Sequence, residues 1–103
     1  MRITISARHF DLTESIKTYA EDALAPLKKF FDRIIDVKLI LSVEKLHLNA
    51  AEIILGGFPS GRLSAKSLNH TDMYLAIDEA VVKIKAQVKK HKNKLKDHHH
   101  KES

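Results

Sequence analysis

Ile3, Ile5 and Ala7 alternate with Arg2, Thr4, Ser6 and Arg8, the two-residue period of a strand with one buried face. After Thr13, a side chain suited to capping a helix start, the period changes. Ile16, Ala20, Ala23, Leu24, Leu27 and Phe31 recur at three- and four-residue steps, with Glu14, Glu21 and Asp22 on the other side, as in an amphipathic helix. Pro26 lies inside that run. In a straight helix it would remove a backbone hydrogen bond and clash with the preceding turn at a cost of about 3 kcal/mol, which predicts a kink or a restart.

Alternation returns at Ile35, Val37, Leu39, Leu41 and Val43, with Asp36, Lys38, Ser42 and Glu44 between them and only Ile40 apolar on the outer side. A third run places Ala51, Ile53 and Leu55 on one face before Gly56-Gly57-Phe58-Pro59-Ser60-Gly61, a cluster of turn residues. A fourth strand is expected from Arg62 to about Ser67. Asn69-His70-Thr71 then reads as a loop able to cap a helix that starts near Asp72 and buries Met73, Ile77, Ala80, Val81, Ile84, Val88 and Leu95. The order is β-α-β-β-β-α, an α+β single domain. Strands one and two are expected parallel through a right-handed crossover and the rest antiparallel, giving a four-stranded mixed sheet with two helices on one face. The domain is expected to span residues 1–97, with 98–103 a disordered tail.

A chain of 103 residues with 44% hydrophobic and 30% charged side chains has the balance of one globular domain. Cysteine is absent, which excludes a disulfide framework, a thiol nucleophile and a thiolate metal site, and fits a reducing cytoplasm. The alternating start lacks the apolar stretch of a signal peptide, and no run approaches the ~20 apolar residues of a membrane span.

Charge changes the picture more than composition does. Residues 1–79 carry ten Lys/Arg against eleven Asp/Glu, whereas residues 80–103 carry eight against two. Seven lysines and no acid lie between Ala80 and Lys96. On a helix they form two ridges beside the apolar stripe: Lys83, Lys90 and Lys94 with Gln87 between them, and Lys85, Lys89, Lys92 and Lys96. Compensation of the helix dipole fades within about one turn and does not account for Lys83, Lys85 or Lys89. The like-charge pairs Lys85/Lys89, Lys90/Lys94 and Lys92/Lys96 each cost roughly 0.2 to 0.5 kcal/mol. A helix that keeps such a field is built for a polyanion, and for nucleic acid ahead of membrane because the apolar stripe is needed for the sheet. DNA readout is not expected of a helix that packs on a sheet. Double-stranded-RNA-binding domains share the α-β-β-β-α order, but their lysines begin the last helix, where this chain has Asp72, Asp78 and Glu79.

Asp72-Met73-Tyr74-Leu75-Ala76-Ile77-Asp78, followed by Lys90-His91-Lys92-Asn93-Lys94-Leu95-Lys96, resembles the signature of the bacterial ribosome hibernation-promoting factors, the ribosome-associated inhibitor or sigma-factor modulation family. Phe31-Asp32-Arg33-Ile34 and Val43-Glu44-Lys45 match as well. The resemblance implies the β-α-β-β-β-α fold, no catalysis and no cofactor. It also implies a cytoplasmic protein that binds small-subunit rRNA in the mRNA/tRNA channel and silences translation in starvation or stationary phase. Carried over by position, the rRNA-facing residues are Lys83, Gln87, Lys90, His91, Lys92 and Lys94. Charge adds Lys85 and Lys89, while Ala86 stands where relatives often carry arginine. The length resembles that of the short form, which in some bacteria acts with a ribosome modulation factor to pair ribosomes, and pairing rests on the resemblance alone. The competing expectation is a protein-interaction module whose lysine ridges meet a sigma factor or another acidic protein.

Other chemistry is weaker. His98-His99-His100 is read as a polar end rather than a structural metal site, with no cysteine in the chain to help close one. Asp72 and Asp78 are six residues apart and fall on different sides of a helix, so they are read as helix-start chemistry and as a surface or packing residue. Tyr74 is more a packing residue than a base-stacking one. Lys17, Lys28, Lys29 and Arg33 on the first helix either widen the basic surface or are ordinary solvated positions.

Overall fold

The computed structural model describes residues 2–30, 36–58 and 61–101, with side chains throughout except at 30, 58, 61 and 91–101. The strands are β1 (Arg2–Arg8), β2 (Asp36–Glu44), β3 (Leu48–Phe58) and β4 (Gly61–Asn69). The helices are α1 (Glu14–Leu24), α2 (Pro26–Phe30) and α3 (Met73–Lys101). The sheet order is β1-β2-β3-β4, with β1 parallel to β2 and the other two pairs antiparallel. The α+β architecture read from the sequence is the observed one.

The registers carry the alternation straight into the core. Ile5, Leu39, Ile53 and Ala65 lie side by side across the four strands, and Leu39 and Ile53 are fully buried. Ala20, Leu24 and Leu27 from the first helical pair, and Ala76, Ile77, Ala80, Ile84 and Val88 from α3, cover that face. Among the described residues the opposite face of the sheet carries no helix.

Local chemistry explains the boundaries. The Thr13 hydroxyl accepts from the Ile16 amide at 3.2 Å, satisfying one of the free donors of the first turn of α1. The expected restart occurs at Pro26, the first residue of α2, where its missing amide proton costs nothing. At the head of α3 the Asn69 side-chain oxygen accepts from the amides of Thr71 and Asp72, and Asp72 Oδ1 accepts from the Leu75 amide at 2.8 Å. Asp72 is thus the helix cap.

One boundary differs from expectation. Gly56 and Gly57 do not open a turn: β3 continues to Phe58, with a register shift between Leu55 and Phe58. Gly57 has φ 108°, a conformation that only glycine adopts without strain, so the ladder bulges and resumes. Helix α3 extends to Lys101, since Lys, Asp and His continue a helix and no glycine or proline stops it. The expectations for Phe31 and for Ile35, like the 31–34 match and Arg33, lie outside the described residues.

Candidate nucleic-acid interface

Helix α3 crosses the sheet with Met73, Ala76, Ile77, Ala80, Val81, Ile84 and Val88 inward. This stripe fixes where every polar side chain on the helix points. Lys83, Lys89 and Lys90 are exposed, and Lys85 and Gln87 are half-buried at the flanks. His91, Lys92 and Lys94 continue the same helix, with side chains outside the described set.

The two ridges differ in what they touch. One ridge, Glu79, Lys83 and Gln87, runs along the free edge of β4. The Lys83 ammonium donates to the Lys66 carbonyl at 3.0 Å, and Gln87 Nε2 donates to the Ser64 carbonyl at 2.6 Å. Glu79 accepts from the Ser67 hydroxyl and from Nδ2 of the Asn69 side chain. The match is metric: four helical residues rise about 6 Å and two strand residues about 6.7 Å. Edge carbonyls that would otherwise be open to another strand are thereby occupied. Lys83 and Gln87, chosen from sequence as contacts for a polyanion, are in this structure ties between α3 and β4. Lys89 and Lys90 lie on the outward surface without such a tie among the described residues.

The other flank meets α1. The Tyr19 hydroxyl donates to both carboxylate oxygens of Asp78, at 2.6 and 2.7 Å. The Tyr19 ring stands edge-on to Tyr74, with centroids 4.9 Å apart and an interplanar angle of 85°, a favoured aromatic geometry. The hydrogen bond to Asp78 holds the Tyr19 hydroxyl above its ordinary ionisation range, and burial and the negative charges of Asp78 and Asp72 push the same way. Tyr74 and Asp78 are therefore packing residues that set α3 against α1. Tyr19 carried no signal in the sequence, because its partners are 55 and 59 residues away.

A basic helix laid across one face of a four-stranded mixed sheet, anchored along β4 and pinned to α1, defines a small α+β binding domain. The chain belongs to the family described as Sigma 54 modulation protein / S30EA ribosomal protein, whose model matches residues 3–96. It is 36% identical over 99 residues to the ribosome hibernation promoting factor of Escherichia coli, covering 95% of this chain and all of that one. It is also 36% identical over 94 residues to the factor of the same name from Pseudomonas putida, covering 91% of this chain and 89% of that one. Among solved structures it is similar to the N-terminal domain of Thermus thermophilus Protein Y, with 32% identity, a TM-score of 0.77 and coverage of 88% and 99%. A ribosomal subunit interface protein from Coxiella burnetii shares the fold at a TM-score of 0.81 and 22% identity, over 90% of this chain and 99% of that one.

Among the described residues no group of His, Cys, Asp and Glu is placed to hold a metal ion, and no helix is long and apolar enough to cross a membrane.

Proposed function

We propose that this domain is a ribosome hibernation factor that acts in the cytoplasm. It binds the small ribosomal subunit through rRNA in the channel used by mRNA and tRNA, and so silences translation in starvation or stationary phase. The observation that carries the reading is the outward surface of α3, where Lys89 and Lys90 stand exposed beside Lys85 on a helix without acid from Ala80 to Lys96, in a chain similar to factors of that name. Phosphate contacts of this kind position a protein on RNA without reading its bases. Lys83 and Gln87 contribute by holding the ridge that leads to Lys90 and Lys94, while His91, Lys92 and Lys94 extend the surface along the same helix. The role is one of occupancy and requires no catalysis and no cofactor. Pairing of ribosomes together with a modulation factor extends the reading, and sucrose-gradient analysis with and without that factor tests it.

Co-sedimentation with separated ribosomal subunits across a salt series tests the central claim. Saturable small-subunit binding that weakens steeply with salt, and that is lost in Lys89→Glu/Lys90→Glu, is the expected result. Absence of binding at low salt overturns it. The sigma 54 modulation in the family's description favours a second reading, in which the lysines meet an acidic protein. A nuclease-resistant, salt-insensitive complex with polymerase would select that one.

A further inference from the structure

The face of the sheet turned away from the helices carries side chains that neither the core nor α3 uses. Strand pairing sets them in rows. Arg2, Asp36 and Gly56 lie side by side, and Thr4, Lys38, Ile54 and Ser64 form the next row. Arg2, Thr4, Asp36, Lys38, Ile54 and Arg62 line a shallow depression there, together with Gly56. A Cβ at Gly56 would lie 2.8 Å from Asp36 Oδ1. The bare backbone is what leaves room for that carboxylate.

Charge determines what fits. Three cations face one carboxylate in the depression. Elsewhere on the same face Lys66 is paired with Glu44 at 3.5 Å, whereas Arg2, Lys38 and Arg62 are in no ion pair among the described residues. Neighbouring strands are about 4.8 Å apart, so Arg2 on β1 and Arg62 on β4 are separated by roughly 14 Å with Lys38 between them. That span is too wide for one phosphate and suits a stretch of backbone. Guanidinium groups at both edges offer forked donors to phosphate oxygens, and the Thr4 hydroxyl adds another.

We propose that Arg2, Lys38 and Arg62 form a second phosphate-binding surface, which takes the backbone of an RNA segment other than the one held by α3. The domain then sits between two stretches of RNA, one on its helical face and one on its open sheet face. This rests on the ribosomal reading above.

The test compares the full chain, Arg2→Gln/Lys38→Gln/Arg62→Gln and Lys89→Glu/Lys90→Glu by co-sedimentation with small subunits over a salt series, with ultraviolet cross-linking of each complex. All three replaced side chains are exposed, and thermal melting checks the fold. If the triple variant melts early, Lys38→Gln alone carries the comparison. Expected are a loss of affinity of about tenfold or more at moderate salt, a salt slope lower by about 2, and wild-type cross-links joining the Lys38 or Arg62 peptide to RNA. Wild-type affinity and slope in the sheet variant, with binding lost in the α3 variant, overturn this proposal alone. Cross-links from those peptides to a ribosomal protein overturn it in favour of an acidic protein partner. If the unaltered chain binds no subunit, the ribosomal reading falls and this proposal falls with it.

Discussion

Lys83 and Lys66 are seventeen residues apart and meet where α3 crosses the free edge of the sheet, the Lys83 ammonium donating to the Lys66 carbonyl at 3.0 Å. With Gln87 on Ser64, this contact turns one ridge of a basic helix into a brace. Lys83→Met is expected to lower stability by about 0.5–1 kcal/mol. In a domain of this size that is a fall of roughly 2–8 °C in thermal midpoint. Lys89→Met, which breaks no tie among the described residues, is expected to stay within about 0.5 kcal/mol of the parent. Equal midpoints for the two variants in a calorimetric scan would show that the brace contributes nothing.

Tyr19 and Asp78 make the corresponding contact on the other flank. Tyr19→Phe keeps the ring against Tyr74 and removes the donor, with an expected loss of about 1 kcal/mol near neutral pH. The hydroxyl ionises less readily in the folded chain than in the unfolded one, so its contribution is complete below about pH 10 and is lost as pH rises through the higher folded-state value. Denaturant titrations between neutral and alkaline pH should show the parent losing stability above pH 10 more steeply than Tyr19→Phe. Parallel curves would remove this link.

The turn between β2 and β3 holds Leu46 at φ 62° and His47 at φ 58°, in the left-handed region that disfavours side chains branching from a Cβ. Leu46 is 87% exposed and loses little packing on replacement. Leu46→Asn is expected to raise stability by roughly 0.5–1 kcal/mol, since asparagine tolerates this conformation. A lower thermal midpoint would mean that the leucine packs against something in the folded chain.

Asp72 caps α3 through the Leu75 amide. Asp72→Ala is expected to cost about 1 kcal/mol, and Asp72→Asn to restore most of it, because the two side chains cap almost equally well. Chemical denaturation of the three proteins separates the cap from the dipole: if asparagine behaves like alanine, the charge and not the hydrogen bond is what stabilises the helix end.

Element order, the faces of the strands, the Pro26 restart and the family were all legible in the chain, because each depends on periodicity or on chemistry within a few residues. Ile3, Leu39 and Ile53 declare their face by alternation, and the lysines of α3 declare theirs by their spacing from Ile77, Ile84 and Val88. The glycines at 56 and 57 misled for the same reason. Composition alone marks them as a turn, and only pairing with β2 and β4 makes them part of a bulged strand.

What each lysine does depended on tertiary structure. Lys83 and Lys90 share a ridge in sequence, yet only the placement of β4 as an edge strand presents Lys83 with a carbonyl that needs a donor. Likewise Tyr19 finds Asp78, and Arg2 and Lys38 come to lie on the same face as Arg62, through strand order and helix packing that join segments tens of residues apart. Periodicity sets which way a side chain points, whereas the partner it meets is set by elements that the chain brings alongside only when it folds.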